Sequence, residues 1–323
     1  MRIIKIEKND AGQRLDKFLT KAVKGLPKSL MYKFIRTKKI KLNRARTQPE
    51  VMLTEGDELQ LFIRDEFFDS PEQDVGAIAR IEPKLDIVYE DENIILMNKR
   101  PGVLVHEDDE GRDNTLLMHL QSYLYRKGEY DPRSEQSFAP ALCNRIDRNT
   151  GGIVIAAKNA AALRDMNYRI KSGQVSKFYL CAVHGTMPKK ADVLKGYLKK
   201  NEKTNTVEVS DTQRPGWREI ITGYRVEAVK NGNSLLEVEL FTGRTHQIRA
   251  HLSHIGHPLL GDGKYGINRD DKKKGYHYQA LYSYKLRFDF EQSGETLDYL
   301  SGKEYRLPRE SVWFCADFDG TKR

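Results

Sequence analysis

Residues 143–155 read Cys-Asn-Arg-Ile-Asp-Arg-Asn-Thr-Gly-Gly-Ile-Val-Ile, so that one carboxylate, Asp147, stands between Arg145 and Arg148 just ahead of an apolar run. Two guanidiniums beside one carboxylate favour its charged form. A charged acid on a loop braced by a rigid strand has the means to act as a nucleophile. A lone acid in such a place is more often a turn residue or a surface ion partner, so other groups must converge on it before the chemistry counts.

Two further stretches offer such groups. Lys177-Phe178-Tyr179 sets a phenol behind a lysine on a strand-like run. Residues 242–252, Thr-Gly-Arg-Thr-His-Gln-Ile-Arg-Ala-His-Leu, end a strand at a glycine turn beside Arg244 and open a helix carrying Arg249 and several imidazoles. Taken singly, core packing explains Tyr179, a surface ion pair explains Arg249, and helix-end capping explains Arg244.

Other patterns carry less. His246, His251, His254 and His257 are dense enough to raise a metal site. On a helix, however, the neighbours of His246 are Arg249 and Ala250, neither of them a ligand. Pro258 implies that the helix has ended by His257, and no cysteine or paired carboxylate completes a zinc pattern. No metal is therefore expected. Residues 261–266 spell GxGxxG without the strand before and helix after that a dinucleotide fold needs, and read as a loop. The acids from Glu107 to Glu110 read as a solvated loop. Cys143 lacks an evident base to activate it.

The elements that must position these groups follow from periodicity. Leu15, Phe18 and Leu19 share one helical face, and Ser29 is placed to cap a second helix through about Arg36. Short strands follow at residues 39–43 and 59–63, the latter after a Gly56-Asp57-Glu58 turn. Residues 65–84 lack periodicity and read as a linker. Beyond Leu85, strand-like runs at 93–98, 152–157, 177–183 and 235–241 mix with a helix at 160–171. Asn159 caps that helix, and Leu163, Met166 and Ile170 give it an apolar stripe. Regular βαβ alternation is missing, which argues for an α+β domain on a mixed, largely antiparallel sheet. The terminal Lys322-Arg323 is expected to fray.

The chain has 323 residues and a formal charge of +9. Residues 1–60 hold 15 Lys/Arg against 7 Asp/Glu, so nearly all the excess sits there. A positive field concentrated on a small, amphipathic unit implies a polyanionic partner. No apolar run is long enough for a membrane span, no signal peptide opens the chain, and three scattered cysteines suit a reducing cytoplasm.

The N-terminal pieces, Gln13-Arg14-Leu15-Asp16, Ser29 to Arg36 and Lys41-Leu42-Asn43, resemble an S4 RNA-binding domain. The three chemical stretches, in this order, resemble the RluA-type family of pseudouridine synthases, whose pattern is close to H-R-L-D-R-x-T-S-G, K-x-Y and T-G-R-T-H-Q-I-R-x-H. Residues 98–106 are similar to that family's N-K-P-x-G-x-x-V-H segment, and residues 256–266 to a later one. The basic region looks most like the RluC-type large-subunit ribosomal RNA enzymes. Asn144, Ile146, Gly151, Arg100 and the pair Tyr282-Ser283 depart from the family's usual residues.

The resemblance implies three parts: an S4-like RNA-binding domain at residues 1–64, a linker at 65–84 and a synthase domain at 85–323. It implies an isomerase that breaks the N1–C1′ bond of uridine and rejoins the base through C5, on a uridine flipped out of structured RNA. Asp147 is then the catalytic nucleophile, attacking sugar or base, or else removes a sugar proton; these routes stay open. By the same correspondence Arg249 pairs with Asp147 through a bidentate fork, Tyr179 packs on the flipped base and assists proton removal at C5, and Arg145 fills the vacated stack. Arg244, Lys38, Lys39, Lys41 and Arg14 are the expected RNA contacts. No cofactor is implied. The expected partner is 23S-type ribosomal RNA, bound by a monomer in the cytoplasm, away from membranes. A silent RNA-binding or ribosome-assembly factor and a transfer-RNA synthase are the alternatives.

Overall fold

The computed structural model describes residues 1–68, 75–106 and 114–319. The acidic run from Glu107 to Glu110 and the terminal Lys322-Arg323 lie outside them. In the N-terminal unit the helical stripe does what its spacing requires. Leu15, Phe18 and Leu19 are buried, and with Ile6, Met31, Ile35 and Ile40 they form a separate small core. The elements are β1 (Arg2–Lys5), α1 (Leu15–Ala22), α2 (Lys28–Arg36), β2 (Ile40–Leu42), β3 (Ala45–Arg46) and β4 (Glu58–Leu61), with sheet order β1-β4-β2-β3. Ser29 is not the cap of α2. The helix starts two residues sooner than that cap would place it, with Pro27 in the cap position at φ −59°, a value the pyrrolidine ring already imposes.

The aperiodic run 65–84 holds more order than its composition implies. A 3-10 turn spans Asp65–Phe67, and α3 (Val75–Arg80) packs on α4 (Leu116–Arg126). From α4, Arg126 donates to the carbonyls of Ala79 and Ile81, and Ser122 Oγ donates to that of Ile81 at 2.6 Å. A six-residue helix is too short to hold itself, so this tertiary docking stabilises it where no local pattern announces it. The N-terminal unit also touches the rest of the chain directly. Buried Asp10 accepts from Ser137 Oγ at 2.6 Å and Gln136 Nε2 at 3.0 Å, and Gln13 Nε2 donates to Ser137 Oγ at 2.8 Å.

The larger part of the chain builds an eleven-stranded sheet from β5 (Ile87–Glu90), β6 (Ile94–Lys99), β7 (Ala141–Leu142), β8 (Gly151–Ala157), β9 (Val175–His184), β10 (Ala191–Asn201), β11 (Thr206–Ser210), β12 (Arg218–Lys230), β13 (Asn233–Leu240), β14 (Leu281–Phe288) and β15 (Glu304–Arg306). Its order is β11-β10-β12-β13-β9-β14-β8-β6-β5, with β15 on β14 and β7 on β8. Among the described residues β8 with β14 is the one parallel pair; the other pairs are antiparallel. The helix α5 (Ala160–Lys171) keeps its sequence-predicted bounds, and Asn159 Oδ1 accepts from the amide of Ala162 at 2.9 Å. The helices α6 (Gln247–His254) and α7 (Arg269–Lys273) complete the set.

The strand β14, late in sequence, is inserted between β8 and β9 and aligns Gly152, Ser283 and Tyr179 in one cross-strand row. Two glycines make this possible. Gly152 has φ +114°, and a Cβ there would lie 2.1 Å from the Ser283 carbonyl oxygen. A Cβ on Gly151 would lie 2.3 Å from the Tyr282 ring. Replacing Gly152 with Ala therefore combines backbone strain with a clash against backbone. We expect it to cost more than about 2 kcal/mol of stability, read from the urea midpoint at unchanged slope. A midpoint within error of the parent protein's would show that the strand row tolerates the extra carbon.

Candidate active site

A cavity of about 360 Å³ lies between the loop ahead of β8, the strand β9 and the start of α6, and Asp147, Tyr179, Arg249, Arg145 and Arg244 all line it. Lys38, Lys39, Lys41 and Arg14 line no part of it and sit in the N-terminal unit. There Lys38 and Lys39 are exposed, while Lys39 lies over the Phe34 ring and Lys41 over that of Phe62. Arg14 is already engaged: its Nη2 and Nε bond Asp16 at 2.8 and 3.1 Å.

Neither arginine adjacent to Asp147 pairs with it. Arg145 is exposed on the cavity wall, and Arg148 turns away to donate from Nε to the Gly102 carbonyl at 3.1 Å. The cation on Asp147 is Arg249, whose Nη1 donates to Oδ2 at 2.8 Å. The bidentate fork expected between these two lies elsewhere. Arg249 Nε and Nη2 bond both oxygens of Asp262, at 2.7 and 2.9 Å. Three donors at fixed angles explain why the position is filled by a planar guanidinium. Asp262 is fully buried and also accepts from the amides of Lys264 and Tyr265. Burial alone would raise its pKa; the Arg249 bonds and the two amides outweigh this and hold it below the usual carboxylate range. Burial likewise opposes the charge on Arg249, and Asp262 and Asp147 more than restore it, so its pKa is raised.

The residues around the ion pairs are fixed in turn. His246 takes a left-handed φ of +52° at the start of α6, and its Nδ1 meets the Tyr265 hydroxyl at 2.8 Å. Burial lowers its pKa to about 4, so at neutral pH it faces Asp147 Oδ2, 3.8 Å away, as an uncharged ring. Gln247 locks the glycine turn: Oε1 accepts from Thr242 Oγ1 and the Arg244 amide, and Nε2 donates to Ile221 O and Thr222 Oγ1. The Asp147 loop is tied at its back by Lys99. This buried ammonium donates to the carbonyls of Arg100, Val103 and Arg148 at 3.2, 2.9 and 2.8 Å. Its burial brings the pKa down to about 7. Asn144 holds the same loop from the other side, accepting from the Ile155 amide at 2.7 Å.

Tyr179 is buried, and burial pushes its phenol up to about 12, so it carries its proton at neutral pH. Ser283, its cross-strand neighbour, is fully buried, and its hydroxyl beside the Tyr179 phenol tempers that rise. Lys177 also lines the cavity, its pKa lowered by burial. Cys143 is pushed up to about 12 by burial and remains an inert thiol. Sequence reasoning missed Asp262, Tyr265 and Lys99 as members of this cluster. They were visible only as parts of the family-like segments at 98–106 and 256–266, and no spacing rule links them to Asp147.

The chain is similar to known proteins along most of its length. Residues 93–254 match the profile of the RNA pseudouridylate synthase family. The ribosomal large subunit pseudouridine synthase C of Haemophilus influenzae is 31% identical over 316 residues, covering 95% of this chain and 93% of that protein. The protein of the same name from Escherichia coli K12 is 31% identical over 313 residues, covering 92% and 91%. Among solved structures, human RNA Pseudouridylate Synthase Domain Containing 1 superposes with a TM-score of 0.55 at 23% identity, over 73% of this chain and 90% of that one, a likeness of fold.

Removing one partner of a buried ion pair strands the other, so Asp262→Asn should cost about 3 kcal/mol of stability at neutral pH. Because the folded pKa of Asp262 is depressed, its contribution is present above the unfolded carboxylate pKa and is lost as pH falls through the folded value. Denaturation of parent and variant across acid pH should therefore give stabilities that converge as pH drops. A gap that stays constant with pH would mean that the charge of Asp262 is not what stabilises the site.

Proposed function

Because the chain belongs to the RNA pseudouridylate synthase family, we propose that it isomerises uridine in ribosomal RNA of the large subunit with Asp147 as the catalytic carboxylate. The observation that carries the assignment of roles is the Asp147–Arg249–Asp262 relay opening on a cavity that also holds Tyr179. The names of the relatives support the large-subunit substrate. Action as a monomer in the cytoplasm belongs to the same reading.

The isomerisation breaks one bond, N1–C1′, and makes one, C5–C1′. The hydrogen on C5 is lost and N1 gains one, so there is no net oxidation and the reaction calls for no redox cofactor. The uridine must leave the RNA stack to reach a cavity of this depth. Arg249, immobilised by Asp262, presents Nη1 to Asp147 and keeps its carboxylate aimed. Asp147 retains one oxygen that Arg249 does not occupy, free for attack on sugar or base or for removal of a sugar proton. The protonated phenol of Tyr179 suits packing against the base and donating a hydrogen bond, a better match to its raised pKa than abstracting the C5 proton. Arg145, exposed on the rim, is placed to stack where the uridine has left, and Arg244 to meet phosphate.

Asp147→Asn keeps the shape and removes the charge. It should abolish pseudouridine formation in large-subunit RNA fragments while RNA affinity changes less than about threefold. Substantial turnover at saturating RNA would sink the role given to Asp147, and absence of turnover in the parent protein would favour a silent RNA-binding factor.

The charge of residues 1–60 makes the N-terminal unit the phosphate anchor in this reading, with Lys38, Lys39 and Lys41 on it. A chain starting at Val75, which preserves α3, should bind the same RNA more weakly and lose less affinity with added salt, because fewer counterions are released. Single-turnover chemistry at saturating RNA should change little. Unchanged affinity and salt slope would assign the basic unit to another partner.

A further inference from the structure

We propose that a second cleft, walled by Arg100, Tyr278, Tyr282 and Trp313, holds an unpaired base of the RNA strand, stacked on the exposed Tyr278 ring with the phosphate on Arg100. The inference rests on RNA being the substrate, as read above. The cleft encloses about 590 Å³, within the range of built ligand sites. Tyr278 is 39% exposed, large for an aromatic ring beside a cavity. Arg100 is exposed and pairs with no carboxylate among the described residues. The Trp313 indole lines the cleft, and its buried Nε1 finds no hydrogen-bond partner among the described residues.

Along the cleft, the Tyr282 hydroxyl donates to Asn98 Oδ1 and Asn98 Nδ2 donates to Asp86 Oδ2, each at 2.8 Å. Asp86 thus offers a carboxylate to the amino edge of a base. Arg100 also borders a neighbouring groove with Lys84, His119 and Arg148. An exposed ring for a base, Tyr278, and an exposed guanidinium for a phosphate, Arg100, are the two components of a single-strand RNA site. A small anion would need the cations but not the rings, and Asp86 would repel it.

The cleft is physically continuous with the Asp147 loop. Gly102 and Arg148 exchange two hydrogen bonds, Gly102 N to Arg148 O at 2.9 Å and Arg148 Nε to Gly102 O at 3.1 Å. A Cβ on Gly102 would lie 2.9 Å from the Tyr278 hydroxyl, and Gln279 Nε2 donates to Thr150 Oγ1 at 3.2 Å. Two residues that depart from the family's pattern, Arg100 and Tyr282, meet in this one cleft. A third departure, Gly151, clears space for the Tyr282 ring. Three of the departures thus fall together at this cleft, while Asn144, Ile146 and Ser283 lie at the Asp147 cavity and the Tyr179 row.

Trp217 and Trp313 are the two tryptophans of the chain, so Trp217→Phe leaves Trp313 as the reporter. Titration of that full-length protein with the single-stranded octamer rA8 should quench Trp313 emission, and an RNA duplex should do so far less. Tyr278→Ala and Arg100→Ala should each weaken rA8 by about tenfold, while Tyr278→Phe should bind as the parent does. Unchanged emission, or unchanged affinity in both alanine variants, overturns the proposal. Pseudouridine formation by the same parent protein is scored separately on a large-subunit RNA fragment. Its absence counts against the catalytic reading alone, and its presence with unaltered rA8 binding counts against the cleft alone.

Discussion

Arg249 is a charged group taken almost entirely out of water, and the site is arranged to keep that from being ruinous. A guanidinium in such surroundings must have each of its faces met by an acceptor or the desolvation penalty dominates. Asp262 meets one edge with two bonds, Asp147 meets Nη1, and the Tyr265 ring lies 5.2 Å from the guanidinium carbon. Asp262 is satisfied in turn by backbone amides. Of the three charged groups, the one that remains partly open to solvent is Asp147, whose side chain is 26% exposed. The burial that makes the relay costly also makes it stiff, and the stiffness is delivered to the single carboxylate that faces the cavity.

The sheet supplies the rest of the alignment. β8 brings the Asp147 loop, β9 brings Tyr179, and β14 sets their separation by lying between them. A single strand width of about 4.8 Å per step leaves little freedom in that spacing. Gly151 and Gly152 let β14 close against β8, and the Lys99 ammonium gathers three carbonyls that would otherwise leave the loop ends unpinned. The left-handed turn at His246 and the four bonds of Gln247 fix where α6 starts, and so where Arg249 points.

The N-terminal unit has its own core and carries most of the net charge, yet it does not hang free. Asp10 and Gln13 bond directly to Gln136 and Ser137 of the larger part. A carboxylate buried in such a contact gives direction to an interface that apolar packing alone would leave loose. Basic residues on an anchored unit keep a set orientation to the Asp147 cavity, which a flexible tether would average away.

Much of this was legible in the sequence because it is local. Asn159 and the stripe of Met166 predicted α5 to its end residues, Leu15, Phe18 and Leu19 announced the first helix, and the clustering of Lys and Arg in residues 1–60 needed only counting. The order of three motifs identified Asp147, Tyr179 and Arg249, and the structure brings all three to one cavity. What local spacing could not disclose is which charge meets which. It offered Arg145 and Arg148 to Asp147 because they are close in sequence, whereas the ion partner, 102 residues away, was expected only through the family resemblance, and its fork goes to Asp262. Successive residues on an extended loop point in different directions, so adjacency in sequence does not make an ion pair. The docking of α3 on α4 and the insertion of β14 between β8 and β9 were hidden for the same reason. Each is a contact between segments far apart along the chain, and such contacts exist only once the core that carries them has closed.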